Sequence, residues 1–462
     1  MADSNTTRRD FLKGAGAVGA GTLVGASAAV GGAAKNGKRA GGRAKNLIFL
    51  VVDGMGVGTL GLAHYWQLRH KAKPLRWMGV YDRPGVVTAL MDTASASSPV
   101  TDSAAAGSAW GCGERVNNRS INYSVAGEPL TPLWRHAKAA GKATGLVTTC
   151  RVTHATPASF AANVPHRDEE NRIARQYLAR GIDVILGGGA RHFTNGEQTL
   201  LPEYEAEGYA ISTDSDGLRA SAGKPKLLGL YADSHVPYAL DRANVPDLAG
   251  VPGLREMFGA ALERLRGHPE GFVLQVEGGR VDHAGHGNDP VAILHEQLEF
   301  DSCIELAEDF VAEHPDTLFI LTTDHGTGGC QLNGLGEDYS ESGPALDRIN
   351  RFDASFEAIA AHYTAIGDFD PEHFERKTGF RASPEQVAMV REGIANEVKY
   401  LDGTLTKVFA EELQATTAVG WTSTHHTAEP VALLARGPGV EGIRPFIRNH
   451  ELNGIVRGAM GF

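Results

Sequence analysis

Three apolar runs in this 462-residue chain end in a residue able to bind a cation, and glycine follows each time. Asp53 closes the run 46–52 and precedes Gly54-Met55-Gly56. Glu277 closes 272–276 and precedes Gly278-Gly279. Asp324 and His325 close 318–323 and precede Gly326. Such turns keep a carboxylate or imidazole accessible at the end of a buried strand. Asp282 and His286 follow Glu277 at a spacing of four, which puts both on one face of a helical turn and lets them grip one ion. Taken alone, that pair reads more simply as a solvated turn. His425-His426 could supply a third ligand. Mixed Asp/His ligation suits zinc, whereas Asp53, Glu277 and a hydroxyl oxygen suit magnesium. Ser103 sits in Val100-Thr101-Asp102-Ser103-Ala104-Ala105-Ala106-Gly107. Asp102 can cap a helix there, leaving the Ser103 hydroxyl and free N–H groups at a positive helix end that suits a phosphate. An isolated Asp-Ser-Ala would be no more than an ordinary helix start.

The elements that position these residues alternate. Short apolar runs at 46–52, 143–149, 182–186, 271–276, 317–323 and 430–435 read as strands buried on both faces of a parallel sheet. Helical stretches at 130–140, 171–180, 251–266 and 291–314 lie between them. The expected fold is α/β: a doubly wound, mostly parallel central sheet with helices on both faces. In such sheets ligands collect at the carboxyl ends of strands, where the candidate residues fall. Residues 331–425 break the rhythm. They read as a helical insertion near the active-site rim, with helices at 354–366, 384–399 and 404–414, and nothing in them suggests chemistry. The expected organisation is a leader at 1–34, a linker at 35–45, a catalytic α/β domain at 46–330 and 426–462, and the insertion at 331–425.

Hydrophobic residues make up 42% and charged residues 21%, ordinary for a globular chain with a sizeable core, and the formal net charge is −11. The acidic balance argues against nucleic acid or an anionic lipid surface as a general partner, so an anionic substrate needs local positive charge. Thr7-Arg8-Arg9-Asp10-Phe11-Leu12-Lys13 followed by a Gly/Ala-rich stretch reads as a twin-arginine signal peptide. The twin-arginine export machinery is then a partner, and the destination is periplasmic or extracellular. The stretch is too weakly apolar for a membrane span. Cys112, Cys150, Cys303 and Cys330 form no CxxC or Cys/His cluster, so free thiols or one or two disulfides are preferred over thiolate metal sites.

As a set, Asp53-Gly54-Met55-Gly56, Val100 to Gly107, Thr153 to Arg167, Glu277 to His286, Thr323-Asp324-His325-Gly326 and His426-Thr427 resemble the alkaline phosphatases, in the family's order. The resemblance covers roughly residues 46–330 and resumes at Trp421. It implies two zinc ions and one magnesium ion: Asp282, His286 and His426 on the first zinc, and Asp53, Asp324, His325 and Ser103 on the second. Asp53 would also bridge to magnesium held with Thr156 and Glu277. Arg167 matches the family's phosphate-clamping arginine. His426 is preferred to His425 because threonine follows it. His154 and His283 stand beside the third metal where some bacterial members carry Asp and Lys, and Ser108 replaces a threonine.

The resemblance implies hydrolysis of phosphate monoesters by in-line displacement through a phosphoserine on Ser103, in a family whose members are often homodimers. The alternatives are a related phosphodiesterase, a sulfatase-like hydrolase, a metabolite-specific phosphatase, and a non-catalytic metal- or phosphate-binding protein. Ser103 lacks the C/S-x-P-x-R context of sulfatases. Diesterases commonly use threonine and lack the arginine.

Overall fold

The computed structural model describes residues 43–194 and 199–462; the expected leader and most of the linker lie outside them. Ten strands form one sheet: β1 (Asn46–Val52), β2 (Val87–Met91), β3 (Ala143–Arg151), β4 (Val184–Gly188), β5 (Tyr209–Ser212), β6 (Lys226–Leu230), β7 (Phe272–Gly278), β8 (Thr317–Thr323), β9 (Val431–Arg436) and β10 (Phe446–Ile447). The order is β10-β2-β9-β8-β1-β7-β3-β4-β6-β5, and β9 alone runs antiparallel to its neighbours. Strands β1, β7 and β8 are buried along their whole length because both sheet faces are covered. Ile48, Leu50 and Val52 enter one core, while Leu47, Phe49 and Val51 enter the other.

Register sets the level of the site. Val51 pairs with Glu277 and Val52 with Thr323, so Asp53, Glu277 and Asp324 emerge together at the carboxyl edge. Thr148 of β3 pairs with Glu277 from the other side. The helices that carry or adjoin the site residues are α1 (Ser103–Cys112), α2 (Ala155–Ala161), α3 (Arg280–His286) and α4 (Pro290–Glu313).

The sheet is wider than six apolar runs suggested. Strands β2, β5, β6 and β10 were not anticipated: β2 is a half-exposed strand beside the edge, and the others are two to five residues long. Residues 342–417 hold six helices rather than three: Ser342–Arg348, Phe356–Ile366, Pro371–Thr378, Pro384–Ala395, Leu401–Val408 and Ala410–Thr417. The helix expected at 384–399 stops at Ala395, because Glu397 turns left-handed with φ 48°. The one expected at 404–414 is divided at Phe409, whose ring packs 4.3 Å from Phe374. Ser383 and Gln386 form the anticipated capping box. Phe352, Phe356, Phe369, Phe374, Phe380 and Phe409 give this segment a core of its own, which also takes in Val291 of α4.

Candidate active site

Asp282 and His286 stand one turn apart on α3, and His426 reaches them from the two-residue strand His426–Thr427, which pairs with Gly326–Thr327. The Nε2 atoms of His286 and His426 are 3.0 Å apart, and each lies 3.4–3.5 Å from Asp282 Oδ1. Both outer nitrogens face backbone carbonyls, His286 Nδ1 at Thr424 O and His426 Nδ1 at Thr101 O, each 2.7 Å away. A carbonyl only accepts, so Nδ1 carries the hydrogen and both Nε2 lone pairs point inward. Two lone pairs and a carboxylate oxygen so close together repel unless a cation lies between them. Donors around a tetrahedral zinc are spaced by about 3.3 Å for bonds of about 2.0 Å, and these three fit.

The second group adjoins the first. His325 Nε2 lies 3.2 Å from Asp324 Oδ2, 3.5 Å from Asp53 Oδ1 and 3.3 Å from Ser103 Oγ. Asp53 Oδ1 and Asp324 Oδ2 are fully buried without a hydrogen-bond partner. The other Asp324 oxygen accepts from the N–H groups of Gly54 and His325, which aims the orphan at the same point. A third corner lies toward β3. Thr156 donates to Asp53 Oδ2 at 3.2 Å, and both Glu277 oxygens are buried and unpartnered. Orphaned buried carboxylates are rare, and here each faces another ligand-type atom, as a set of cation positions requires.

Electrostatics agree. Burial, reinforced by Asp324, Asp282 and Glu277, holds the Asp53 carboxyl well above its usual range. Burial pushes Glu277 up to about 8; the Thr148 and Thr156 hydroxyls offset part of this without completing a hydrogen bond. Asp324 rises to about 7 from burial, with nearby Asp282 adding to it. Burial raises Asp282 too, but the imidazoles of His286, His426, His325 and His283 outweigh it and leave this carboxyl well below its range.

Ser103 opens α1, and Asp102 caps it by accepting from Ala105 N at 3.0 Å. The other Asp102 oxygen accepts from Arg167 Nη1 at 3.0 Å, and Arg167 Nη2 meets His154 Nε2 at 2.8 Å. One aspartate thus fixes both the helix end and the arginine. His283 also lies nearby on α3, with its Nδ1 4.0 Å from Cys150 Sγ. His425 stays on the outer side, where its carbonyl accepts from Gly328 N. All four cysteines are free thiols. Sequence reasoning missed Thr327, whose hydroxyl donates to Asp282 Oδ1 at 2.6 Å, and the Asp102–Arg167 pair. A threonine three residues past Asp324 carries no signal of that contact. Asp102 was legible as a cap only.

No helix among the described residues is long and apolar enough to cross a membrane. A twin-arginine translocation signal matches residues 5–25, so the protein is exported, to a periplasmic or extracellular location. Alkaline phosphatase 4 of Bacillus subtilis (strain 168) is 30% identical over 421 residues, covering 89% of this chain and 88% of its own. The streptomycin-6-phosphate phosphatase of Streptomyces griseus is 30% identical over 467 residues, covering 90% and 91%. The crystal structure of Thermus thermophilus alkaline phosphatase superposes with a TM-score of 0.83 at 36% identity, covering 95% of this chain and 96% of that one. The alkaline phosphatase family model matches residues 44–461, nearly all of the described chain, and the chain belongs to that family of phosphomonoesterases.

Proposed function

We propose that the protein hydrolyses phosphate monoesters through a phosphoserine formed on Ser103. The observation that carries this is the convergence of Ser103 Oγ, at the start of α1, with His325, Asp53 and Asp324. The residues fit two zinc ions and a magnesium ion. Asp282, His286 and His426 would hold one zinc; Asp53, Asp324, His325 and Ser103 the other; Asp53, Thr156 and Glu277 the magnesium. When bound, these ions supply the positive charge that lowers the pKa of the seryl hydroxyl and balances charge on the entering and leaving oxygens.

The chain does the rest. Arg167, steadied by Asp102 and His154, offers a planar fork for two phosphoryl oxygens, and the first N–H groups of α1 face the same phosphoryl. Ser103 Oγ attacks phosphorus in line as the ester oxygen departs opposite, and the seryl proton ends on the released alcohol. Water then attacks the phosphoserine, freeing inorganic phosphate and restoring the hydroxyl. Charge in the loose transition state is spread over the equatorial oxygens, where Arg167 acts. His154 and His283 flank the magnesium position and influence it from outside.

A single dedicated metabolite is the second reading for the substrate, favoured by the Streptomyces griseus relative, whose name specifies one phosphorylated antibiotic. We take the segment 331–425 as an insertion on the catalytic domain and a homodimer as the working assembly, which sedimentation at several concentrations tests.

Hydrolysis of p-nitrophenyl phosphate at alkaline pH tests the main reading. Activity lost on chelation, regained with zinc and magnesium, and reduced on the order of 10³-fold or more in Ser103→Ala supports it. A metal-loaded inactive protein, or a fully active Ser103→Ala, refutes it.

A further inference from the structure

Beyond Glu277 the site wall holds side chains to which the proposed chemistry gives no ligand role. Cys150 lies fully buried near the end of β3. His283 is on α3, beside Asp282. His235 sits in the loop after β6, which is tied back to β3 by Val236 N donating to Thr149 O at 3.0 Å. The two imidazole rings meet at 4.2 Å and 66°, and Cys150 Sγ lies 4.0 Å from His283 Nδ1. One ligand atom from each of the three residues falls within 4.8 Å of the other two.

We propose that Cys150, His235 and His283 bind a soft cation of the zinc class, separate from the three positions assigned to the phosphatase reaction. A cation held at about 2.3 Å from sulfur and about 2.0 Å from nitrogen spaces those donors by about 3.3–3.5 Å, so the three must close by roughly 1.5 Å at most. Thiolate plus imidazole selects zinc, cobalt or copper over magnesium and calcium. The ligands assigned to the catalytic positions are nitrogen and oxygen; Cys150 Sγ also comes within 4.8 Å of ligand atoms of His154 and Glu277, so His235 is the residue that sets this position apart. Both histidines are partly exposed, which gives an ion a way in.

The plainer account makes Cys150 a small buried hydrophobe and the histidines partners of arginines. Arg151 Nη1 lies 2.5 Å from His235 Nε2, and Arg280 Nη1 lies 3.3 Å from His283 Nδ1. The backbone N–H of Arg151 also points at His235 Nδ1, 3.3 Å away. A neutral imidazole has one lone pair, so His235 can satisfy only one of these two donors. Moving the Arg151 guanidinium aside leaves it paired with Glu170 and Ser234, and Arg280 keeps Glu357 and the face of Tyr238. Each arginine is already balanced by a carboxylate. Coordination sends the thiol proton to solvent, so the bound cation is half neutralised by its own ligand.

Cobalt(II) titration of the metal-stripped, full-length mature protein tests this, because a thiolate–cobalt bond gives a near-ultraviolet charge-transfer band that nitrogen and oxygen ligands do not. The expected result is such a band, saturating with one equivalent of cobalt and bleached by zinc. Cys150→Ser and His235→Ala should each lose the band and that equivalent, with the visible ligand-field bands of the other positions kept. His235→Ala alters a loop, so it stays informative if Cys150→Ser folds poorly. No band in the loaded wild type, or a band that survives in His235→Ala, overturns the proposal.

Discussion

Arg167 is held at both ends of its fork before any substrate arrives, by Asp102 at 3.0 Å and His154 at 2.8 Å. Preorganisation of this kind matters because a floppy arginine would spend binding energy on ordering itself. Arg167→Ala is expected to lower kcat/KM for p-nitrophenyl phosphate about 10²-fold, and Arg167→Lys to recover only part, since a point charge cannot replace the fork. Inhibition by inorganic phosphate should weaken in parallel. Thr327 acts at one remove: its hydroxyl fixes Asp282 Oδ1, the oxygen that His286 and His426 face. Thr327→Val should therefore weaken zinc retention about 10- to 100-fold in a chelator competition while leaving the fold intact. Asp53, Glu277, Asp324 and His325 were legible because each ends an apolar run, and Asp282 and His286 because they sit at a helical spacing, whereas Thr156 and the choice of His426 rested on the family resemblance. The residues steering the ligands were not legible. His426 reaches His286 across 140 positions, and no local pattern announces that meeting.

Helix α1 is made almost entirely of Ser, Ala and Gly, and the packing explains why. A Cβ on Gly107 would lie 2.4 Å from Ser159 Oγ, and one on Gly111 would lie 2.2 Å from Ser159 O, so α1 and α2 approach with no room for a side chain from α1 at these two positions. This close crossing sets the distance between Ser103 on one helix and Thr156 on the other. Gly111→Val should push the helices apart, costing about 1–3 kcal/mol in chemical denaturation and lowering activity beyond what the stability loss explains. The small-residue run was visible as a helix start but not as a packing face, since its partner lies some 50 residues on. Strands covered on both faces were read correctly for the same reason that the short strands were missed. Continuous apolar runs rich in β-branched residues and bounded by glycine stand out, whereas Lys226–Leu230 and Tyr209–Ser212 are too short to separate from loop. In the 331–425 segment, the aromatic residues that end and bend the helices pack on one another, information that periodicity does not carry.

At the scale of the molecule, four buried carboxyls, Asp53, Glu277, Asp282 and Asp324, share one end of the sheet. Without cations, that crowding opposes folding. Asp324 and Glu277 titrate at about 7 and about 8 in the fold, against 3.8 and 4.5 ordinarily. The metal-free fold therefore holds more protons than the unfolded chain over that window, and its stability falls as pH rises from about 4 to about 8. Metal ions replace those protons, so the gap in Tm between metal-loaded and chelated protein should widen as pH rises through the window. A gap independent of pH would contradict the placement of the cations among these carboxyls. The ions also stabilise by mass action, so Tm should climb with free zinc concentration.

The central claim is that Ser103 carries the phosphoryl group during turnover. The most direct measurement is mass spectrometry of the Ser103 peptide after the working enzyme is quenched in acid with saturating substrate. A phosphoryl adduct on Ser103, present with p-nitrophenyl phosphate and absent both in Ser103→Ala and after chelation, is the predicted result. An active enzyme that shows no adduct under any quench, or carries it on another residue, would contradict the account.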